Sequence, residues 1–464
     1  MVLDFALMSL LLVLAHVLRS WSAFLQRIYL PSAMLAGFIG LAGSSQNFGL
    51  IPFQETSSGT LSLDAYPSFL VALLFGTLFM GAREGSGGHL IRRAGDTFFY
   101  NVASEIGQYA AVLLLGILLL RTLFPDLDMG FVLLLPAGFA GGHGTATAIG
   151  QVLQEAGWED ALTIAYTFST VGLLSGVVGG ILIISVATKR GWTRLVKSPH
   201  ELPESIRKGF LPQGRRRPIG QETVSPIAID PLAWHIALVL AAFGLAYLAN
   251  DLIAFVLPES FALPLFAITM LAGALIQKTL DALGLGIFVD PRVMERIGST
   301  ASDYLVGFAI ASIKITVVVE YALPLAVMCL FGLVYSVAFF WFVGRKIFRN
   351  FWLERSLFTY GWNTGVIAVG ISLLRIVDPK FRSKTLEDFG IAYLGMSLVS
   401  IGIIVVVPQL IIRGYIAGTA VSLAIACCAC LLLSKYLIGW FVQPPDQLRE
   451  GEAEVVSVDE GDSE

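Results

Sequence analysis

Residues 130–153 read GFVLLLPAGFAGGHGTATAIGQVL, an apolar segment with glycines at positions 138, 141, 142, 144 and 150. The segment is long enough to cross a bilayer, which takes about 20 apolar residues in a helix. Glycine weakens a helix interior, and unwound backbone at membrane depth occurs only where it is buried in protein or lines a cavity. The segment therefore predicts a membrane helix that is broken or re-entrant near its centre.

The composition of the whole chain indicates a membrane protein. Of its 464 residues, 56% are hydrophobic and 14% are charged, and the mean hydropathy is +0.77. A soluble chain of this length carries more charge on its surface. The first segment lacks a basic start and a small-residue cleavage site, so we expect it to be retained as a helix. The apolar segments lie at 3–18, 28–43, 66–82, 98–120, 130–153, 161–187, 232–255, 261–277, 300–313, 318–343, 356–374, 389–412 and 414–442.

The distribution of Lys and Arg predicts the topology through the positive-inside rule. The loop 188–230 is strongly basic and is expected in the cytoplasm, together with the basic loops 83–96 and 344–355. If every apolar segment crossed the membrane, these loops would lie on opposite sides. The conflict disappears if segment 130–153 is re-entrant, and the same reasoning applies to segment 356–374.

Three sequence features recur in the same order in the two halves of the chain. They are a Leu-Pro step followed by Met-Leu-Ala-Gly, an acid before the next apolar segment, and a Gly-rich segment. With about five crossings per half, the second half starts from the opposite side, so the repeats are predicted to be inverted. Broken helices at corresponding places in inverted repeats mark the binding site of many transporters. The features lie at 30–37, 64–71 and 142–150 in the first half and at 263–273, 303–306 and 362–370 in the second.

The predicted fold is an all-α polytopic membrane protein. It consists of two inverted-topology repeats, each with about five crossing helices and one broken or re-entrant Gly-rich segment, and of an extra C-terminal helix. The tail is acidic and too polar to form a core, so we expect it to be disordered. The predicted parts are the first repeat 1–187, the basic cytoplasmic linker 188–230, the second repeat 231–412, the extra helix 413–443 and the tail 444–464.

Several motifs carry a resemblance to a known family. The motif GGHGT at 141–145, followed by the glycine-containing stretch 170–180 and preceded by the Pro…Gly pattern at 31–37, resembles the bacterial sodium/glutamate symporters. The run 361–379 is similar to one branch of that family, and the resemblance covers roughly residues 25–412. It implies Na⁺-coupled uptake of L-glutamate, an inverted-repeat fold, a homodimer and a place in the inner membrane of a bacterium. The second broken segment departs from the denser glycine pattern of better-known members, which leaves the substrate more open than the fold.

Polar side chains at the two broken segments are the candidates for binding the substrate, because polar groups inside a membrane segment are costly. His143 can contact the substrate, hold the break open by a hydrogen bond to a neighbouring helix, or relay a proton. Arg375 can bind a carboxylate through two hydrogen bonds or form a local pair with Asp378. The hydroxyl groups can instead bond to neighbouring helices. The predicted substrate residues are His143, Gly144, Thr145, Thr170, Asn363, Thr364 and Arg375.

The coupling ion is predicted to be Na⁺, held at the broken helices where unwound carbonyls and hydroxyls supply oxygen ligands. Asp303 can bind this ion or cap a helix, and the serines can line the cavity or serve helix packing. Glu105 is expected at the cytoplasmic interface of segment 98–120. The predicted cation-binding residues are Gly142, Ser169, Asp303 and Ser397.

These patterns favour a secondary transporter. There is no Walker motif to bind a nucleotide. The prediction is a Na⁺-coupled symporter that imports L-glutamate by alternating access, without a cofactor, in contact with membrane lipid and not with nucleic acid. The alternative is a proton- or sodium-coupled carrier of another anionic amino acid or of a dicarboxylate. A channel is less favoured because no repeated filter sequence or charged ring is found. An enzyme is disfavoured because His143 has no obvious nucleophile or second metal ligand nearby.

Overall fold

The computed structural model describes residues 2–27, 30–54, 63, 65–81, 90–193, 210, 213, 216, 218–256, 265–378 and 382–440. All regular secondary structure within these residues is helical, and nine of the helices are long and apolar enough to cross a membrane. The predicted class, an all-α polytopic membrane protein, is therefore confirmed. Much of the basic linker and the acidic tail fall outside the described residues.

The described part of the first half contains six main helices. The fourth continues through a π-helical turn, Gly116–Leu120, into the short helix Arg121–Leu123. A short helix, Ala23–Arg27, connects the first two. The six helices are α1 (Val2–Trp21), α2 (Ser32–Gly43), α3 (Ala65–Thr77), α4 (Leu90–Leu115), α5 (Phe131–Glu155) and α6 (Ala161–Lys189).

The second half has the same order of helices. Its fourth helix again continues through a π-helical turn, Phe340–Gly344, into a three-residue helix, Arg345–Ile347. Shorter helical pieces lie at Gly286–Phe288 and Ile315–Glu320. The main helices are α7 (Pro231–Val256), α8 (Leu265–Ala282), α9 (Pro291–Ala311), α10 (Ala322–Phe339), α11 (Trp352–Thr364), α12 (Ile367–Val377), α13 (Thr385–Ile412) and the additional α14 (Ile416–Leu437).

Helix packing divides the chain into two groups. Helices α1, α2 and α3 pack with α7, α8 and α9 in a first group, and α4, α5 and α6 pack with α10 to α14 in a second. The contacts are reciprocal: α2 packs on α9 while α8 packs on α3, and α6 packs on α11 while α13 packs on α5. Two equivalent halves produce such a pattern. The inverted relation between the halves stays a prediction.

Helices α2 and α3 are shorter than the apolar segments predicted there. They contain 12 and 13 residues, which corresponds to about 18–20 Å of helix. The hydrocarbon core of a bilayer is about 30 Å thick. Neither helix alone therefore spans a membrane, and both pack against α9, which has 21 residues.

Glycines on α6 bring the second group close together. A Cβ atom at Gly172 would lie 2.7 Å from the carbonyl oxygen of Thr364, and one at Gly176 would lie 2.7 Å from the Thr364 hydroxyl. Small residues allow helix backbones to approach in membrane proteins, where apolar burial gives no driving force between helices. The glycine face of α6 thus positions the end of α11.

Arg355 forms buried ion pairs at one end of the second group. It belongs to the basic stretch 344–355, and the structure buries it in the first turn of α11. Its guanidinium group lies 2.5 Å from a carboxylate oxygen of Asp388 and 3.5 Å from one of Asp96. It also donates a hydrogen bond to the Thr97 hydroxyl. Arg355 therefore connects α4, α11 and α13 at one end of the second group.

Candidate functional site at two helix breaks

The predicted break in α5 is present at Gly142. Its backbone angles are φ +61° and ψ −160°, in a region that is essentially restricted to glycine. A Cβ atom at this position would lie 2.7 Å from Cγ1 of Val366 and 3.0 Å from the carbonyl oxygen of Gly365. Gly142 is therefore required both for its conformation and for close contact with the second half of the chain.

The second break lies at Gly365 and Val366, within the predicted segment 356–374. Helix α11 ends at Thr364, Val366 is extended, and α12 begins at Ile367. Because Gly142 contacts Gly365 and Val366, the two breaks meet. The half-helix 143–155 and α12 both begin at this point. The first N–H groups of a helix have no partner within it and carry the positive end of its dipole. Two such ends meeting form a place for an anion.

His143 is the first residue of the half-helix that follows Gly142, and its side chain is 1% exposed. Its Nε2 atom lies 3.2 Å from the hydroxyl oxygen of Thr170 on α6. Its Nδ1 atom has no hydrogen-bond partner among the described residues. The structure therefore brings together two residues that the sequence predicts for the substrate, and leaves one ring nitrogen available.

Asn363 and Thr364 end the half-helix α11 at the second break. The Asn363 side-chain amide donates to the hydroxyl of Ser104 on α4, and its Oδ1 atom has no partner among the described residues. The hydroxyl of Thr364 donates instead to the carbonyl of Tyr360, 2.6 Å away in the same helix. Asn363 thus presents an acceptor at the break, whereas the hydroxyl of Thr364 is satisfied locally.

A sequence model of the sodium/glutamate symporter family matches residues 2–351 of the chain. The chain belongs to the sodium/glutamate symporter family. It is thus a member of a family of Na⁺-coupled glutamate transporters rather than of enzymes. No curated protein matches the chain. The matched range includes the first break and Thr170 but ends one residue before α11, so the second break of this symporter lies outside it.

The other predicted substrate residues lie at different distances from the breaks of this symporter. Gly144 and Thr145 are half-buried in the first turn after Gly142. Arg375 lies in the last turn of α12, about 13 Å along the helix from Val366 at 1.5 Å per residue. Arg375 is therefore near the far end of α12 and not at the break.

The predicted cation-binding residues of the symporter lie on four different helices. Gly142 forms the break itself, and the Ser169 hydroxyl donates to the carbonyl of Ala165 in its own helix at 3.0 Å. Asp303 lies on α9 in the first helix group, where it is exposed. Ser397 is buried on α13. Ser169 is adjacent to Thr170, which contacts His143, and its backbone packs against Gly138 of α5.

A polar face on α4 escaped the sequence analysis. The sequence predicts Glu105 at the cytoplasmic interface, but the structure buries it and places the hydroxyl of Ser400 on α13 2.6 Å from its carboxylate. Asn101, Ser104 and Gln108 are buried on the same helix. Their spacing of three or four residues places all four side chains on one face. In the sequence, polar residues at this spacing within an apolar segment indicate such a polar face.

Proposed function

We propose that this protein imports L-glutamate together with Na⁺ by alternating access. The observation that carries the proposal is the meeting of two half-helix N-termini at Gly142 and Val366. Glutamate is an anion with two carboxylates, and partial positive charge from two helix ends stabilises such a ligand. Membership of the sodium/glutamate symporter family supports Na⁺ as the coupling ion.

Roles for the substrate residues follow from their positions. Backbone N–H groups at Gly144 and Thr145 and the side chains of His143 and Thr170 would receive one carboxylate at the first break. Asn363 and Thr364 would line the second. Arg375 is proposed as a longer-range contact from the last turn of α12.

The cation-binding residues predicted from the sequence remain part of the proposal. The carbonyl groups freed at Gly142 would be oxygen ligands suited to Na⁺, and Ser169, Asp303 and Ser397 would supply further oxygens. Asp303 lies on α9, which contacts α5 and α6 of the second group, and a movement of one group against the other would change its position relative to the breaks.

Alternating access would involve such a movement. The second group carries both breaks, and the first group is built from the two equivalent sets of three helices. We propose that the second group moves against the first within a homodimer in the bacterial inner membrane, and that the two halves are inverted repeats. Because both breaks contact each other, they would move together.

The test is uptake of radiolabelled L-glutamate into liposomes that contain the purified full-length protein. Accumulation is expected with an inward Na⁺ gradient and not with K⁺ in place of Na⁺. Competition by aspartate and by dicarboxylates separates a glutamate carrier from a dicarboxylate carrier, and an imposed proton gradient tests coupling to protons. Equal uptake with and without Na⁺ contradicts the proposal.

The site assignment has its own test. Asn363→Ala removes the side-chain amide at the second break and should raise the glutamate concentration for half-maximal uptake. The matched control is Asn47→Ala, because Asn47 is exposed in a loop and its side chain donates to the Leu41 carbonyl. If both variants transport as the wild type does, Asn363 does not bind the substrate.

A further inference from the structure

Glu105 is a carboxylate deep in a membrane span. It lies 11 residues into the candidate span Ala94–Leu123, which corresponds to about 16 Å from its nearer end. Its side chain is buried, and Ser400 donates a hydrogen bond to it. No cationic side chain contacts it among the residues that the structure describes. A carboxylate in such a place must be neutralised, because an isolated buried charge is very costly.

The buried arginine of the second group does not neutralise Glu105. Arg355 contacts α4 at Asp96 and Thr97, and Thr97 precedes Glu105 by eight residues, about 12 Å along the helix. Arg355 also already forms ion pairs with two other carboxylates, those of Asp96 and Asp388. Because none of the described cationic side chains is in place to neutralise Glu105, we take the neutralising charge to be a bound cation or a proton.

Buried amide oxygens on α4 and α11 indicate the chemical nature of the neutralising charge. Both polar atoms of the Gln108 side chain lack a partner within the described part of the chain, although this side chain is 1% exposed. The Oδ1 atom of Asn363 is likewise unpartnered, whereas its nitrogen donates to the hydroxyl of Ser104. At about 100° of rotation per residue, Gln108 projects between Ser104, which meets α11, and Glu105, which meets α13. Gln108 therefore points into the space between α4, α11 and α13, which we call the wedge.

We propose that a Na⁺ ion binds in this wedge between α4, α11 and α13, held by the carboxylate of Glu105, the amide oxygens of Gln108 and Asn363, and the hydroxyl of Ser400. Carboxylate, amide and hydroxyl oxygens are the ligands that hard cations prefer. A proton on Glu105 would neutralise the charge but would leave both amide oxygens buried without a partner. A cation would satisfy the carboxylate and both amide oxygens together.

The inference rests on the proposed function for the role of the ion, since Na⁺ at this site would drive transport. Asn363 belongs to the second break and contacts the α4 face through Ser104. Occupation of the wedge would therefore fix the amide of Asn363 next to the substrate. The site differs from the cation set predicted from sequence, of which only Ser397 lies nearby, one turn before Ser400 on α13.

The experiment measures Na⁺ binding without substrate. The melting temperature of the full-length protein in detergent is followed while NaCl replaces choline chloride at constant ionic strength, because a ligand of the folded state raises stability. The wild type should be stabilised by Na⁺. The variants E105Q and Q108L should raise the Na⁺ concentration at half-effect by roughly tenfold or more, since even indirect partners of bound metals change affinity by about 10- to 100-fold.

The control is a second Glu and Gln pair on α5. Gln151 donates to Glu155, which is exposed at the end of that helix, so E155Q and Q151L should titrate as the wild type does. The variant E105D retains the charge and serves if E105Q does not fold. Unchanged Na⁺ titration in the Glu105 and Gln108 variants overturns the site, as does a result in which E105Q changes only the dependence on pH.

The two proposals can fail separately. If the wild type accumulates glutamate on a Na⁺ gradient and the Glu105 and Gln108 variants keep their Na⁺ affinity, the function stands and this site falls. If Na⁺ stabilises the wild type through Glu105 but no Na⁺-driven glutamate uptake occurs, the site stands and the proposed substrate falls.

Discussion

Replacement of Gly142 by alanine should disable transport, and the structure gives the size of the effect. The residue has φ +61° and ψ −160°, a conformation that costs a non-glycine residue about 1–3 kcal/mol. The added Cβ atom would lie 2.7 Å from Cγ1 of Val366 and 3.0 Å from the Gly365 carbonyl, and overpacking of this kind costs another ~1–3 kcal/mol.

The two costs together amount to about 2–6 kcal/mol, and each 1.4 kcal/mol is tenfold in a population. The geometry in which the two breaks meet should therefore become about 30-fold to 10⁴-fold less populated in Gly142→Ala. The assay is the initial rate of Na⁺-driven glutamate uptake in liposomes, normalised to the amount of inserted protein. We expect a decrease of at least about 30-fold.

Two further variants separate the contact from the backbone strain. Gly157 also has a positive φ, +106°, but a Cβ atom there meets nothing within 4 Å, so Gly157→Ala should lower thermal stability and keep uptake. Adding Val366→Ala to Gly142→Ala removes the closest clash and should recover part of the rate, as a coupling energy between neighbours. If Gly142→Ala alone keeps more than half of the wild-type rate, contact between the breaks is not needed for transport.

Three other predictions follow from single contacts. Thr170→Val leaves Nε2 of His143 without its partner, which costs about 1–3 kcal/mol. The glutamate concentration at half-maximal uptake should therefore rise about 5- to 100-fold. An unchanged concentration in uptake assays contradicts the place of Thr170 in the site. Arg355→Met leaves Asp388 and a second buried carboxylate without a compensating charge. The free energy of unfolding of the purified protein should fall by about 3–5 kcal/mol. A melting temperature equal to that of the wild type would show that the ion pairs of Arg355 do not stabilise the fold. For Asp290, burial raises the pKa but backbone N–H donors outweigh it and hold the pKa below its ordinary value. The wild type should be more stable than Asp290→Ala by about 1 kcal/mol at pH 7. This difference in stability should be complete above about pH 4 and should shrink as the pH falls through the lowered pKa of Asp290. A difference in melting temperature that stays constant across this range contradicts the prediction.

The sequence was sufficient for the class of the fold and for the positions of both breaks. Glycine in an apolar segment has a local meaning, because the residue alone decides which backbone conformations are available. The break at Gly142 and the one at Gly365 therefore lie within the predicted segments. That Gly142 contacts Val366 could not be predicted, since the contact depends on how two distant segments cross.

The candidate site was predictable only where its residues are close to a break. His143 and Asn363 are placed there by the chain itself, and their partners Thr170 and Ser104 come from tertiary packing. Glu105 illustrates the limit: a single acid in an apolar helix is equally consistent with an interface and with a buried site. Only the position of α13 beside α4 shows that its partner is a serine.

The contact between the two breaks also has a consequence for biogenesis. Gly142 and Val366 are separated by about 220 residues, which a ribosome that adds about 5–20 residues per second synthesises in roughly 10–45 s. During this interval the first broken helix is already in the membrane while its partner does not exist, and the break lacks the segment that packs against it in the folded protein. Unpaired backbone groups in hydrocarbon are costly. The first half must therefore be kept at the insertion machinery, or beside water, until α11 and α12 have been made.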